Sequence, residues 1–403
     1  MEWKECKIKD IGIVVGGATP STKKACFYDG DIPWISPKDL SNIKEKYIKR
    51  GERNITKEGY DSCSCKMLPK GSVLFSSRAP IGYVAIAAND LCTNQGFKSI
   101  IPYETTDSEF LYYLLIHNKE GIASQGSGTT FMEVSGKTMA QINVRIPKLL
   151  SDQRRIASIL SSLDRKIELN NKINGQLEEM AQAIFKSWFV DFEPFKDGKF
   201  VESELGLIPE GWRVGTLGEI VIFKNGFAFK SSDFSKDGKY KIITIKGVQD
   251  GILTTEGADT INFIPPKMPD YCNLSEGNIL LSLTGNVGRV CLVDKTNLLL
   301  NQRVAKLVPK NSNDYMFVYL LFRRKETKEK LISISRGTAQ ANLSPIETSN
   351  LEFIIPPRQA LDSFSDIMKS IYLKELRLKQ ENSHLAQLRD TLLPKLMNGE
   401  IEI

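Results

Sequence analysis

The stretch "LLLNQRVAKLVP" at 298–309 repeats, 207 residues on, the grammar of "LCTNQGFKSIIP" at 91–102: an apolar run, Asn-Gln, a strand-like segment and a closing Pro. Repetition at long range fixes an architecture before local structure does. Sliding the chain by 206 to 209 residues aligns further landmarks in the same order. Trp3 in "EWKECKIKDI" meets Trp212 in "GWRVGTLGEI", and "GSVLFSSRAPIG" (71–82) meets "GNILLSLTGNVG" (277–288). "SGT" (127–129) then meets "RGT" (336–338), and "INVRIP" (142–147) meets "LEFIIP" (351–356). The chain is an internal duplication.

Each copy opens with short β-branched and apolar segments punctuated by Gly, Pro, Asn and Asp, which predict strands and turns. Helical stretches at 108–122 and 314–332 fall in corresponding places, so each copy is a mixed α+β globule. Each globule then gives way to helical period. Apolar residues recur at Ile156, Leu160, Leu163, Ile167, Leu177, Ile184 and Trp188, and again at Phe364, Ile367, Ile371, Leu378, Leu385, Leu388, Leu392 and Leu396. Such spacing predicts two long helices that hide their seams against each other as an antiparallel coiled coil. Asn170 and Asn174 interrupt the first seam and read as a looser, solvated middle rather than a buried pair that fixes register.

The expected fold class is therefore α+β: two homologous mixed α/β globular domains separated by two long helices in a pseudo-twofold dumbbell. Its parts are a first globule at 1–150, a helix at 151–191, a linker at 192–208, a second globule at 209–357 and a second helix at 358–403.

The composition admits several functions and argues against others. With 403 residues, 41% hydrophobic, 25% charged and a formal charge of +6, the chain is an ordinary globular protein that permits an anionic partner. Seven cysteines, an odd number, and a start without an apolar signal segment lead us to expect reduced thiols in a cytoplasmic protein. Two histidines leave little material for His-based catalysis, and Cys63-Ser-Cys65 lacks the spacing of a zinc ribbon. Gly136-Lys137-Thr138 is preceded by Phe131 where a phosphate loop needs Gly. Glu326-Thr-Lys328 has the form of a nuclease triplet but lies in a helical, charged stretch, and neither Pro-Pro pair has the flanks of an amino-methyltransferase motif. The charged runs 44–50 and 323–330 read as solvated faces. No catalysis is expected of the chain.

Two similar but unequal heads on a spacer of fixed length suit a ligand with two separated sites, and duplex DNA repeats its contacts along one face every helical turn of about 34 Å. The residues that carry a resemblance are "IPKLLSDQRRIASILSSLDRKIELNNKINGQLEEMAQAIFKSWFVDF" (146–192), "LGLIPEGWRVGTLGEI" (205–220) and "LAQLRDTLLPKLMNGEI" (385–401). Together they resemble the conserved regions of type I restriction-modification specificity subunits, over almost the whole chain. That resemblance implies two target recognition domains, each reading one half of a split DNA site through the major groove, with two spacer helices between them. It also implies two methyltransferase subunits docked on the spacer, which bring S-adenosylmethionine, and restriction subunits that add ATP- and Mg-dependent translocation and cleavage; this chain itself binds no cofactor or metal. The alternatives are a free-standing DNA methyltransferase or nuclease with an unfamiliar motif, and an interaction scaffold that does not touch DNA.

Asn and Gln pair bidentately with adenine, which makes Asn94, Gln95, Asn301 and Gln302 candidates for DNA contact. Residues kept alike in two heads that read different sequences should nevertheless fix a turn rather than specify bases. Better readers are polar residues that differ at matched places: Ser76, Ser77 and Arg78 against Ser282, Thr284 and Asn286, Gly96 against Arg303, and Ser127 against Arg336. Lys23, Lys24, Lys224 and Lys230 are candidate phosphate ligands. For partner subunits the candidates are Gln153, Arg154 and Arg155 at the first helix entrance, which differ from Leu361, Asp362 and Ser363 opposite them. Trp188 and Phe189, in the aromatic "FKSWFVDF" (185–192), are docking candidates too, although an intramolecular contact is the favoured reading there.

Overall fold

The computed structural model describes residues 1–41, 45–78, 80–128, 132–337, 341–401 and 403. Lys44, Ala79, Thr129, Phe131 and Thr338, which the sequence comparison used, lie outside the described residues. The chain divides into two compact units: unit 1 is Met1–Lys172 with Gln380–Ile403, and unit 2 is Ile173–Lys379.

The duplication is a repeat of topology. In unit 1 a five-stranded sheet runs in the order Gly12–Gly16, Lys98–Pro102, Val73–Ser77, Ile81–Ala87, Tyr47–Ile48. Unit 2 repeats the first four places with Val221–Asn225, Val304–Pro309, Ile279–Ser282 and Val290–Leu292. A parallel pairing also recurs, Trp34–Ile35 on Cys92–Thr93 in unit 1 and Tyr240–Ile243 on Leu298–Leu300 in unit 2. In both units an early strand closes on the last strand before a long helix: Trp3–Lys7 pairs with Asn143–Pro147, and Arg213–Thr216, which follows a hairpin of Phe200–Ser203 on Gly206–Pro209, pairs with Glu352–Ile355. Alternation dictates how such a strand lies, since Val144 and Ile146 are buried while Asn143 and Arg145 face water.

Each expected long helix is one continuous element of 40 residues, Leu150–Phe189 and Arg358–Met397. The boundary between units falls within both, and the helix ends belong to the cores of the units. Ile156, Ala157 and Leu160 of the first helix join Leu393, Leu396 and Met397 of the second in the core of unit 1. In unit 2, Ala181, Phe185 and Phe189 meet Ala360, Leu361, Phe364, Met368 and Ile371. The apolar stripe is thus spent largely on the sheets and short helices, which offer a wider apolar surface than one facing helix does. Two residues assigned to the seam, Ile367 and Leu388, are instead 40% exposed.

Within unit 1 the two helices run antiparallel, as Asp164 pairs with Arg389 (2.8 Å) while Lys166 pairs with Glu381 (3.4 Å). Asn170 corrects the expectation of a solvated middle. It is fully buried, and its Nδ2 donates to Glu381 Oε2 (2.8 Å) and Asn382 Oδ1 (2.9 Å). Only one relative placement of the helices satisfies those bonds, which is how a buried Asn specifies register. The Oδ1 atoms of Asn170 and Asn174 are buried without a partner, a cost that such specificity carries.

The run 44–50 is not simply a solvated face, because Lys46 is 3% exposed. Its Nζ donates to Ser161 Oγ (2.7 Å) and lies 3.0 Å from Glu109 Oε1. Ser161 Oγ donates to Glu109 Oε2 (2.6 Å), Tyr47 OH donates to Glu109 (2.7 Å), and Tyr113 OH donates to Asp164, which Arg389 also holds. The head and both helices of unit 1 are joined by one polar network.

The docking assignment of Phe189 is also corrected, whereas Trp188 is half-buried. Phe189 is 7% exposed, with ring centroids 4.8 Å from both Phe317 and Phe364 and 5.9 Å from Trp212. Trp188 packs on Phe195 (5.8 Å) and Phe364 (5.9 Å). The aromatic run anchors the helix in its own unit.

Two outcomes are expected. Phe189→Ala should destabilise the free chain by about 3–5 kcal/mol; an unchanged denaturant midpoint would return Phe189 to the role of a docking residue. Lys46→Met should cost about 3 kcal/mol by stranding Glu109. Burial favours the neutral Glu109 carboxyl, but hydrogen bonds from Ser161, Tyr47 and Lys46 outweigh it and hold the group below the usual carboxylate range. A depressed carboxylate contributes stability above its unfolded pKa and loses it as pH falls through the lower folded value. Removing Lys46 withdraws part of what holds the carboxyl down, so unfolding measured against pH should show a smaller acid-side loss of stability in Lys46→Met than in the parent.

Candidate nucleic-acid interface

The matched residues of the two heads turn out to be scaffold. In unit 1 the buried Ser76 hydroxyl donates to the Pro80 carbonyl (2.8 Å) and accepts from the Tyr83 amide (2.8 Å). In unit 2 the buried Ser282 hydroxyl bonds the same relative positions, donating to the Asn286 carbonyl and accepting from the Arg289 amide (3.0 Å). Asn94 Oδ1 accepts from the Gly96 amide (2.9 Å), and Asn301 Oδ1 from the Arg303 amide (3.2 Å). Both are Asx turns, in which the side chain mimics a backbone turn. A glycine is pressed against each: a Cβ on Gly17 would lie 2.1 Å from Asn94 O, and one on Gly226 would lie 2.2 Å from Asn301 O. The repeated Asn-Gln marks a turn that leaves no room for a side chain behind it.

Ser76, Ser77 and Ser282 are accordingly withdrawn as DNA contacts. All three are fully buried, and Ser77 Oγ is bonded to the Gly96 carbonyl (3.2 Å). They occupy inward positions whose hydroxyls are consumed by the backbone. Asn94 and Asn301 hold turns in the same way, whereas Gln302 is exposed and Gln95 accepts from the Thr19 hydroxyl.

On this scaffold three segments converge in each unit. In unit 1 the Ser77 amide bonds the Gly96 carbonyl (2.7 Å), the Val134 amide bonds the Ser77 carbonyl (3.0 Å), and Glu133 bridges both Arg78 and Ser127. In unit 2 the Leu283 amide bonds the Arg303 carbonyl (3.0 Å), the Leu343 amide bonds the Leu283 carbonyl (2.7 Å), and Asn342 bridges both Thr284 and Arg336. The backbone frame is the same; the side chains are not. Unit 1 gathers Arg78 (3.8 Å) and Lys98 (2.9 Å) around the Glu133 carboxylate. In unit 2 the Thr284 hydroxyl donates to Asn342 Oδ1 (3.1 Å), Arg336 pairs with Glu347, and Arg303 is exposed. The frame thus brings together Arg78, Ser127, Thr284, Arg303 and Arg336 as matched, divergent positions.

Of the remaining candidates, Lys23, Lys24, Lys230 and Asn286 are exposed, and Lys24 Nζ lies 5.0 Å from the Phe27 ring centroid. Half-buried Lys224 lies 4.9 Å from the Tyr271 ring centroid. Gln153 is corrected: it is 1% exposed, accepts from the Asp107 amide (3.0 Å) and donates to the Pro147 (3.2 Å) and Thr105 (3.3 Å) carbonyls. Both amide hydrogens and the amide oxygen are engaged in seating the helix, and the side chain is buried away from any partner. Arg154 and Arg155 are exposed, with Arg154 3.7 Å from Asp107. Sequence reasoning missed Glu133 and Asn342, although the SGT/RGT alignment extended by a few residues pairs them. It also missed Lys98, an ordinary strand residue in a linear reading.

Comparison with known proteins agrees with this doubled design. The family model described as type I restriction modification DNA specificity domain matches residues 1–179 and again 209–385. The chain is 38% identical to the MjaIX specificity subunit of Methanocaldococcus jannaschii over 100% of this chain and 94% of that one. It is 28% identical to the HindI specificity subunit of Haemophilus influenzae over 83% of this chain and 88% of that one. A crystal structure of the type I restriction-modification S subunit from M. genitalium shares the fold, with a TM-score of 0.56 at 20% identity over 98% of this chain and 96% of that one. Duplicated scaffold and duplicated family match together show that this chain belongs to the type I restriction-modification DNA specificity subunits.

Proposed function

We propose that each unit reads one half of a bipartite DNA site, that the two long helices fix the separation of the halves, and that the chain is a non-catalytic, cytoplasmic subunit. The observation that carries this reading is one backbone frame built twice, with different polar side chains at matched positions: Arg78 against Thr284, Ser127 against Arg336, Glu133 against Asn342. Two readers of unequal half-sites need a shared framework and divergent edges. Arg reads guanine bidentately, Asn reads adenine and Glu accepts from cytosine, so the substitutions are of the kind that changes a preferred base.

Two methyltransferase subunits, bringing S-adenosylmethionine, dock on the chain, and restriction subunits that use ATP and Mg join the same assembly. Exposed Arg154 and Arg155 are the retained docking candidates on the helix entrance. A free-standing enzyme, or a scaffold indifferent to DNA, gains no support from relatives that are named specificity subunits.

The test is the methylation pattern left on DNA by the chain together with its methyltransferase. Modified sites should share two short half-sites at one constant gap, and changing that gap by one or two base pairs should abolish specific binding at fixed salt. Arg336→Ala should relax one half-site only, by about 1–3 kcal/mol of discrimination. Ser282→Ala should lower stability by about 1–3 kcal/mol while leaving both half-sites unchanged. Methylation without a paired pattern, or by the chain alone, would overturn the reading.

A further inference from the structure

The sheet of unit 2 carries an arrangement that stability alone does not favour. Lys224 and Lys306 occupy directly opposite positions on adjacent antiparallel strands. Such positions place Cβ atoms about 4.5–5.5 Å apart on one face, and like charges there are destabilising. The other strand neighbour of Lys306 is the fully buried Leu280, so its stem lies along the apolar core and only its end can reach the surface. Burial, and then the charge of Lys224, push the Lys306 ammonium below its usual range. Among the described residues neither ammonium has a carboxylate partner; Lys224 faces the Tyr271 ring instead. The matched rung of unit 1 is Val15 opposite Ser99, both buried and uncharged. The lysine pair is therefore not demanded by the scaffold that the two units share.

We propose that Lys224 and Lys306 form an anion site, present in unit 2 alone, that grips a phosphate group of the nucleic-acid backbone. This rests on the DNA-reading role proposed above. Two half-buried ammoniums that repel each other are relieved by one anion held between them, and a phosphate diester has two charged oxygens to offer both. The partly apolar floor strengthens the attraction, because the pair is less screened than exposed lysines are. Such a contact adds affinity without sequence information. It would make the second head the firmer holder of the duplex, whatever bases either head selects.

The test measures binding of the full chain to a mixed-sequence duplex of about four helical turns across a salt series. Each phosphate contact contributes about 0.9 to the slope of log affinity against log salt. Lys306→Met, Lys224→Met and the double variant should each lower the slope by about 0.9, the double no more than the singles, because one phosphate is shared. The Met variants should melt at or above the parent temperature, since a repulsion is removed, and Lys306→Arg should restore the slope. A parent chain that binds with a slope the double variant leaves unchanged overturns the site. So does a result in which inorganic phosphate raises the Tm of the parent but not of the double variant while the DNA slope stays the same, which would assign the pair to free phosphate. A parent chain that binds no duplex at any salt overturns instead the DNA-reading role.

Discussion

An amphipathic helix of 40 residues cannot leave its apolar stripe in water, and where that stripe is buried decides the rest of the structure. Here the first helix places Ile156 and Leu160 in one core and Phe185 and Phe189 in the other, and the second helix does the same with Leu393 and Leu396, and with Phe364 and Ile371. Each buried side chain of this size contributes roughly 1.5–3 kcal/mol. A helix anchored in this way is a structural member of each unit, so its length is bound to the folding of both.

That burial also explains why the middle can be polar. Once the ends are fixed by apolar contact, Asn170, Lys166, Asp164 and their partners Glu381, Asn382 and Arg389 need only decide alignment within unit 1. Polar pairs of this kind add little net stability but penalise every other alignment. In unit 1 the Lys46–Glu109–Ser161 network extends the same logic from the helix to the head, since all its atoms are satisfied in one orientation only.

The duplication, the two helices and the closing strands were legible because each is a long-range or periodic signal: Trp3 against Trp212, the recurring Leu and Ile of the stripe, "INVRIP" against "LEFIIP". What stayed hidden was the direction in which single polar residues face. Ser76 and Arg78 lie two apart on one strand end, and no property of the residues shows that the first hydroxyl is consumed by the Pro80 carbonyl and the Tyr83 amide while the second side chain is free to pair with Glu133. Gln153 misled for a similar reason, because a polar residue at a helix entrance resembles a docking group until Thr105, Asp107 and Pro147 are seen to surround it. Asn170 erred in the opposite direction. Its composition suggests water, and its bonds are to the facing helix.

The two heads then differ in electrostatics on a shared frame. In unit 1 Arg78 and Lys98 share the one Glu133 carboxylate. In unit 2 Asn342 replaces that acid without adding charge, Arg303 replaces Gly96, and Lys306 stands opposite Lys224 where the first unit has Ser99 and Val15. Cations held by a neighbouring acid gain less from phosphates than uncompensated ones, which add affinity at any sequence. Duplication followed by divergence of charge on a fixed frame is thus a route to a division of labour between heads, since no change at Glu133, Asn342 or Arg303 need disturb the serine and asparagine bonds that hold the frame.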